Sequence, residues 1–258
     1  QGLGINAIEL MPINEFDGNS SWGYNPSFHM AVDKIYGSPT KFKELVNECH
    51  KRGIAVILDV VYNHATGQNP YFRLWNTESD SYVGSPTSQN PFFQESPVSE
   101  SYLNYFNDMN HESGYVREYI RRINNFLINE YHLDGFRFDL TKGFTNQNIA
   151  ENYSSDRVSY LKTLANDVWD NDEDTYIIFE HFQNEEEKVF SEYGIMSWGE
   201  ENYNYNEATM GYPSDFKGIN YMSRGFSNPT LVGFMESHDK ERLMHKNITY
   251  GNSSGNYD

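Results

Sequence analysis

Cysteine, basic residues and long apolar runs are all scarce in this chain of 258 residues. The single cysteine, Cys49, excludes an internal disulfide framework, and no apolar run is long enough to cross a membrane. The 19 Lys and Arg residues stand against 37 Asp and Glu residues, and the resulting net charge of −18 repels nucleic acid and anionic lipid. No glycine-rich phosphate loop follows a strand-like run, which disfavours nucleotide binding. We therefore expect neutral ligands as partners, with no nucleic acid and no membrane span.

Aromatic residues, in contrast, are abundant. They make up 16% of the chain, and hydrophobic residues make up 38%, which is typical of a folded globular protein. The length permits one large α/β domain or two smaller ones. The chain has no initiator Met, and residues 1–5 read as the run-in to a strand, so we expect a segment of a longer protein.

Strand-like and helix-like patterns alternate along the chain. An apolar run over 5–11, a helix from Ser38 to Gly53 and a second run over 55–61 predict two parallel strands joined by a helical crossover. The spacing predicts three apolar helix faces, formed by Phe42, Leu45, Val46 and Cys49, by Val116, Ile120, Ile123 and Leu127, and by Val158, Leu161, Leu164, Ala165 and Val168. Further strands are predicted over 134–139, 175–180, 203–205 and 231–235, and a further helix from Asn184 to Gly194.

Residues 65–112 interrupt this alternation. Pro, Ser, Asn, Gly and aromatic residues dominate there, and a long excursion inside a repeating fold is usually functional. About six strands of a βα repeat predict a (β/α)8 barrel, the TIM barrel, that lacks its first and last strands; an open doubly wound sheet is the alternative. We expect boundaries at 1–64 for the first two strands and their helix, 65–112 for the excursion and 113–258 for the remaining strands and helices, all within one domain.

Four strand-like runs end in polar or acidic clusters, within 59–64, 135–139, 176–180 and 234–239. These clusters predict a site, because the carboxyl ends of parallel strands converge in an α/β barrel. Side chains alternate along a strand, so Arg137 and Asp139 are expected to point to the same side. The guanidinium would then lower the pKa of Asp139 and keep it ionised, as a nucleophile must be. A plain buried ion pair is the alternative.

Glu180 ends the apolar run of the next strand. Apolar surroundings raise the pKa of a carboxyl group, so Glu180 fits a general acid, with a solvated strand end as the alternative. Two such carboxyl groups on neighbouring strands suit retaining glycoside hydrolysis, in which they lie about 5 to 5.5 Å apart. Asp239 adds a third acid from another strand end. His64 and His238 are candidates for hydrogen bonds to sugar hydroxyls, and Tyr24 is a candidate for stacking; structural roles are the alternative for all three.

These ordered segments resemble the signature regions of the α-amylase family of glycoside hydrolases, family 13. Residues 4–12 resemble the family's second barrel strand, 59–64 the third, 135–139 the fourth, 176–180 the fifth and 234–239 the seventh. The match runs nearly from end to end. It implies a catalytic (β/α)8 barrel with about strands two to seven present, in which the excursion corresponds to the family's protruding loop domain after the third strand.

The resemblance also implies a role for each matching residue. Asp139 would be the nucleophile, Glu180 the acid/base, and Asp239 the carboxylate that binds sugar hydroxyls and helps to distort the ring. Tyr24 would stack on the sugar at the cleavage point, Arg137, His64 and His238 would hold that sugar, Lys142 would reach a leaving-group sugar, and Asp59 would support the others.

Three departures from the family pattern bear on calcium and on substrate binding. The family's calcium positions correspond to Asn63, to Asn110, where an Asp is common, and to Gly143, where a His often contributes its backbone. Calcium takes several oxygen ligands, and two amide side chains predict at best a poor site at Asn63 and Asn110. No cofactor is required for the chemistry itself. Ser237 stands where the family usually has an Asn.

The predicted function is retaining cleavage of α-1,4-linked glucan such as starch or glycogen, which Lys142 favours over branch-cutting relatives. Branching, debranching or transglycosylation by the same acids is the alternative. A carbohydrate-binding or partner subunit without catalysis is the non-enzyme alternative, which the presence of all three acids disfavours. A barrel that lacks strands has unpaired edges, which favours inactivity of the isolated segment. The acidic surface and a polymeric substrate favour export, and the oligomeric state stays open.

Overall fold

The computed structural model describes residues 2–78, 82–97, 105–148 and 151–252. The chain divides into two compact units, residues 1–183 and residues 184–258. The first unit contains β1 (Ala7–Leu10), β2 (Asn14–Phe16), β3 (Pro26–Val32), α1 (Pro39–His50), β4 (Ala55–Val60), β5 (His64–Ala65), α2 (Pro70–Leu74), β6 (Phe93–Gln94), β7 (Asn107–Met109), α3 (Gly114–Tyr131), β8 (Gly135–Phe138), α4 (Ser155–Trp169) and β9 (Tyr176–Phe179). The second unit contains α5 (Asn184–Tyr193), β10 (Met196–Glu200), α6 (Asn202–Thr209), β11 (Leu231–Phe234) and α7 (Leu243–Tyr250).

A parallel sheet in the order β1-β4-β8-β9 organises the first unit. Its register pairs Asp59 with Arg137 and Arg137 with Ile178. Because side chains alternate along a strand, Glu9, Asp59 and Arg137 extend from one face of the sheet. The other face carries buried apolar side chains, those of Val56, Leu58, Val60, Phe136, Phe138, Ile177 and Phe179. One face therefore builds the core, and the other carries charge.

The three long helices of the first unit begin at serine caps. Ser38, Ser113 and Ser154 each accept a hydrogen bond from a backbone N–H of the first turn of α1, α3 and α4. The predicted apolar faces of α3 and α4 are buried in full. In α1, Phe42, Val46 and Cys49 are buried, but Leu45 is 43% exposed, so its prediction is wrong. The buried stripe of α1 is narrow, and Leu45 lies at its edge.

Two antiparallel sheets accompany the parallel sheet among the described residues of the first unit. β2 and β3 form a hairpin, and β5, β7 and β6 form a three-stranded sheet within the excursion. The three strands of the second sheet have two, three and two residues, which is too short for an alternating pattern to show in the sequence. The pairing of His64 with Asp108 closes this sheet onto the residues that follow β4.

In the second unit, β10 and β11 form a parallel pair. The strand predicted over 203–205 is wrong, because these residues lie within α6. Alternating Asn and Tyr residues mimic a strand, but Asn206 Nδ2 donates to the carbonyl oxygen of Asn202, four residues earlier, at 2.8 Å. Both asparagines are buried, so the burial follows the helical spacing.

Six parallel strands, four in the first unit and two in the second, alternate with helices among the described residues. This confirms the predicted α/β class and the predicted number of strands. None of the described helices combines the length and the apolar character that a membrane span needs. The domain boundaries at 64/65 and 112/113 stay predictions.

The packing of α3 can be tested by a cavity-forming substitution. Leu127 is 1% exposed, so Leu127→Ala is expected to lower the free energy of unfolding by about 2 to 5 kcal/mol. Arg122→Ala on the same helix is the control: its side chain is 69% exposed, and little change is expected. Urea denaturation of both variants measures the difference. Equal and small effects would contradict the packing of this face.

Candidate active site

Arg137 is fully buried and contacts three carboxylates. Its Nη1 donates to both oxygens of Asp59, at 2.9 and 2.8 Å, and to Asp139 Oδ1 at 2.9 Å. Its Nη2 lies 3.0 Å from Glu180 Oε2. The three carboxylates are themselves buried. One cation is therefore shared by three acids that come from the ends of three neighbouring strands.

Strand geometry explains how these side chains meet. Asp59 pairs with Arg137 across β4 and β8, and Asp139 and Glu180 are the first residues after β8 and β9. The backbone N–H groups of Asp139 and Glu180 each donate to a carbonyl oxygen of the neighbouring strand at 3.0 Å. The sheet ladder therefore holds both positions, which is the convergence that the strand-end clusters predicted.

Glu180 is held by the turn that follows Asp139. Leu140 donates its backbone N–H to Glu180 Oε2 at 3.0 Å. Thr141 donates its backbone N–H and its hydroxyl to the Glu180 carbonyl oxygen, at 3.0 and 2.9 Å. Leu140 adopts the left-handed region, with φ 48° and ψ 40°, which is unfavourable for a residue with a side chain. The contact with Glu180 thus helps to hold a strained turn.

The pKa of Asp139 differs from the prediction. Burial raises it from 3.8 to about 7; the positive charge of Arg137 lowers it, and the negative charge of Asp59 raises it. We expected Arg137 to lower the pKa of Asp139 and so keep the group ionised. Arg137 does lower this pKa, but the net shift is upward, so the expectation is wrong. Desolvation outweighs the attraction, because the single cation is shared with two further carboxylates.

A hydrogen bond also links the carboxyl groups of Glu180 and Asp139, and it lowers the pKa of Asp139. Such a bond needs one proton on the pair. Two nitrogens of one guanidinium contact the two carboxylates, which places both groups beside the same cation. The predicted spacing of about 5 to 5.5 Å between the two carboxyl groups stays a prediction.

Asp59 supports Arg137 from β4 and also binds Tyr24. The Tyr24 hydroxyl donates to Asp59 Oδ2 at 2.5 Å. Burial raises the pKa of Asp59 to about 7, whereas the charge of Arg137 lowers it. Burial also raises the pKa of Tyr24, so the phenol keeps its proton and donates it. The Tyr24 ring is therefore anchored beside the cluster by its hydroxyl, and its stacking on a sugar stays a prediction.

His64 joins the same group of residues through the backbone. It is buried, and its Nε2 lies 2.8 Å from the carbonyl oxygen of Tyr24. Burial lowers the pKa of His64 to about 4, so the ring is neutral at physiological pH. A neutral ring whose Nε2 carries the hydrogen donates it to this carbonyl. The observed contact of His64 is therefore with the backbone of Tyr24, which it helps to hold. Its hydrogen bond to a sugar hydroxyl stays a prediction.

Lys142 lies in the helical turn Thr141–Gly143, directly after the Asp139 strand end. Its Nζ contacts both carboxylate oxygens of Glu151, at 3.0 and 3.2 Å. The Lys142 side chain is 9% exposed, whereas that of Glu151 is 57% exposed. Buried Arg157 donates through Nη1 to the Lys142 carbonyl oxygen at 2.8 Å. Lys142 therefore has a carboxylate partner that the sequence did not indicate, and its contact with a leaving-group sugar stays a prediction.

The second unit carries Asp239 and His238 after β11. His238 Nε2 lies 3.4 Å from Asp239 Oδ2, and the Asp239 side chain is 54% exposed. The indole ring of Trp198 stacks on the His238 ring, with 6.4 Å between the ring centroids. The predicted third acid thus follows the carboxyl end of a parallel strand, and its role stays a prediction.

Asn63 and Asn110, the predicted calcium positions, both face protein groups. A Cβ added at Gly143 would lie 2.1 Å from Asn63 Oδ1. Asn110 Oδ1 accepts a hydrogen bond from Asn146 Nδ2 at 2.6 Å. Among residues 2–78, 82–97, 105–148 and 151–252, no three His, Cys, Asp or Glu side chains form a group that could hold a metal ion.

Glu9 is a neighbour of the cluster that the strand-end patterns missed. It extends from the same face of the sheet as Asp59 and Arg137. Although part of Glu9 is exposed, burial raises its pKa, the charge of Arg137 lowers it, and the charge of Glu180 raises it. The alternation of side chains along β1 could have indicated this position, because it places Glu9 on the same face as Asp59 and Arg137.

Relatives of known function match this chain over part of their length. The chain matches the family described as "Alpha amylase, catalytic domain" over residues 1–250. It is 40% identical over 138 residues to the malto-oligosyltrehalose trehalohydrolase of Saccharolobus solfataricus, covering 53% of this chain and 22% of that protein. It is 28% identical over 207 residues to Alpha-amylase 3 of Dictyoglomus thermophilum, covering 71% of this chain and 39% of that protein. The chain therefore spans less than half the length of these curated relatives.

A solved structure resembles the fold of the chain more completely. An α-amylase from Anoxybacillus matches 96% of this chain and 54% of its own, with a TM-score of 0.72 and 20% sequence identity. At this identity the likeness concerns the fold alone. It confirms the incomplete (β/α)8 barrel over the doubly wound alternative.

The raised pKa of Asp139 makes stability depend on pH. Between the ordinary pKa of 3.8 and about 7, the folded chain keeps a proton that the unfolded chain has lost, so this group lowers stability as pH rises. Asp139→Asn removes this penalty. We expect the variant to exceed the wild type by about 1 to 3 kcal/mol at pH 8, since one pKa unit is worth about 1.4 kcal/mol before solvent relaxation. The gain should vanish near pH 4.

Urea denaturation at a series of pH values measures this difference. Glu130→Asn, on the surface of α3, is the control, and no comparable gain at pH 8 is expected from it. A gain for Asp139→Asn that is independent of pH would contradict the raised pKa.

Proposed function

The chain belongs to the alpha-amylase family, as part of its catalytic domain, and on this premise we propose that its parent protein is a retaining glycoside hydrolase. The substrate class is α-1,4-linked glucan of the starch or glycogen type. The observation that carries the proposal is the buried Arg137, which binds the carboxyl groups of Asp139 and Glu180 with two nitrogens of one guanidinium. It brings a candidate nucleophile and a candidate acid together at adjacent strand ends.

The chemistry needs one ionised and one protonated carboxyl group. Asp139 attacks the anomeric carbon and forms the glycosyl-enzyme bond, while Glu180 gives its proton to the departing glycosidic oxygen. Glu180 then takes a proton from water, whose oxygen replaces Asp139 at the anomeric carbon. The hydrogen bond between the two groups supports this division of roles, because it keeps one proton on the pair.

The remaining roles follow from the position of each side chain. Asp59 and Tyr24 hold Arg137 in place, so they act through the cation. His64 fixes the backbone of Tyr24. Asp239 and His238, in the second unit, are the proposed hydrogen-bonding groups for sugar hydroxyls. Lys142 would contact a leaving-group sugar in company with Glu151.

A second candidate function is favoured by one relative. The protein from Saccharolobus solfataricus is named for hydrolysis of malto-oligosyltrehalose, and it is 40% identical over 138 residues. The same two carboxyl groups would serve that reaction. Chromatography of the products that the full-length protein makes from starch, branched dextrin, pullulan and malto-oligosyltrehalose tests both candidates. Short linear products from starch support the first candidate, released trehalose supports the second, and debranched or newly branched chains contradict both.

Two substitutions separate the proposed roles in the full-length protein. Glu180→Gln is expected to lower kcat on glucan by about 100- to 10,000-fold, because the leaving oxygen loses its proton donor. On a glucosyl fluoride, whose leaving group needs little protonation, the loss should be much smaller. Asp139→Asn should abolish turnover of both substrates and formation of the glycosyl-enzyme.

Glu130→Gln is the matched control, since Glu130 lies on α3 and contacts Lys43. Its rates should equal those of the wild type. An undiminished rate for Asp139→Asn would remove Asp139 from the nucleophile role, and equal losses on both substrates would remove Glu180 from the acid role.

A further inference from the structure

Three side-chain amides, those of Gln94, Asn110 and Asn146, form a hydrogen-bonded chain, which we call the amide clasp. Gln94 Nε2 donates to Asn146 Oδ1 at 2.9 Å, and Asn146 Nδ2 donates to Asn110 Oδ1 at 2.6 Å. Gln94 Nε2 also donates to Asp108 Oδ2 at 2.9 Å. Asn146 donates with its nitrogen and accepts with its oxygen, while Gln94 donates and Asn110 accepts, so the donor and acceptor directions are mutually consistent.

The amide clasp joins segments that are far apart in the chain. Gln94 ends β6, Asp108 lies in β7, and Asn110 follows β7, so these three belong to the excursion. Asn146 lies 36 positions after Asn110, beyond the helical turn that follows β8. Backbone bonds of the excursion run alongside, because Asn110 N–H donates to the Phe92 carbonyl oxygen at 2.9 Å. The clasp thus ties the excursion to the segment that leaves the candidate nucleophile.

The donor set at this position does not suit calcium. A calcium ion takes about six to eight oxygen ligands, with carboxylates prominent among them. Here the predicted ligands Asn63 and Asn110 are neutral amides, and the Asn110 oxygen already accepts a hydrogen bond from Asn146. The nearby carboxylate, Asp108, accepts from Gln94 and is 4% exposed. The side-chain oxygens of Asn110 and Asp108 that a cation would need are therefore engaged with N–H donors.

The packing between Gly143 and Asn63 also bears on the calcium question. A Cβ at this position would lie 2.1 Å from Asn63 Oδ1, so the Asn63 amide fills the space of a side chain at residue 143. A residue with a side chain at position 143 would therefore clash with Asn63 in this arrangement, so the glycine and the placement of Asn63 belong together.

We propose that the amide clasp, rather than a bound calcium ion, joins the excursion to the loop that follows the candidate nucleophile in this protein. The amide clasp also connects to the candidate site. The segment that contains Asn146 continues from the turn in which the Leu140 N–H binds Glu180 Oε2. The proposal stands apart from the proposed function, since thermal unfolding tests it without any substrate.

The first experiment compares the response to calcium in two proteins. Thermal unfolding of the full-length wild type and of Asn110→Ala is recorded with EGTA and with millimolar calcium chloride. We expect Asn110→Ala to lower Tm by about 2 to 6 °C to the same extent in both media. Any effect of calcium that arises elsewhere in the protein is then equal in the two proteins. A calcium-dependent rise in Tm that the wild type shows and Asn110→Ala loses would overturn the proposal.

The second experiment measures the coupling within the clasp. Gln94→Ala and Asn146→Ala should each lower Tm, and the double variant should lower it by less than the sum of the two single losses, because the two residues share one bond. Gln147→Ala is the matched control: Gln147 is exposed and adjacent to Asn146, and it lies outside the clasp. Strict additivity of the two substitutions, or an equal loss in Gln147→Ala, would overturn the clasp.

Discussion

The candidate site depends on one guanidinium that three buried carboxylates share. A buried arginine is tolerated only with close partners, and Arg137 has them from the ends of three adjacent strands. One positive charge does not neutralise three negative ones, so protons remain in the cluster at neutral pH. Burial raises the pKa values of Asp59 and Asp139, and the one shared cation offsets this rise only in part.

The sequence predicts those features that depend on neighbouring residues along one element. Helix faces and most strands follow from local spacing, and alternation places Arg137 and Asp139 on one face of β8. The convergence of Asp139 and Glu180 follows from a general property of parallel strands. The direction of the Asp139 pKa did not follow, because desolvation depends on every element that covers the face, and residue spacing carries no information on that cover.

Contacts between distant residues were also beyond local patterns. Strands of two or three residues in the excursion show no period. The alternation of Asn and Tyr in α6 resembles a strand until the bond between Asn206 and Asn202 is known. The pairing of Lys142 with Glu151 and the amide clasp depend on how loops meet in space. The residue types at these positions are common in solvated loops, so only the fold reveals that they are paired.

Leu140 has a consequence for the adaptation of this protein to heat. A glycine or asparagine adopts its left-handed backbone at lower cost, so replacement there offers an accessible gain in thermal resistance. The peptide group of residue 140 also orients Glu180, and a looser backbone would orient it less exactly. Higher thermal stability and exact orientation of Glu180 therefore favour different residues at position 140. In a relative adapted to higher temperature, we therefore expect leucine to be kept at position 140 and the added stability to come from the helices.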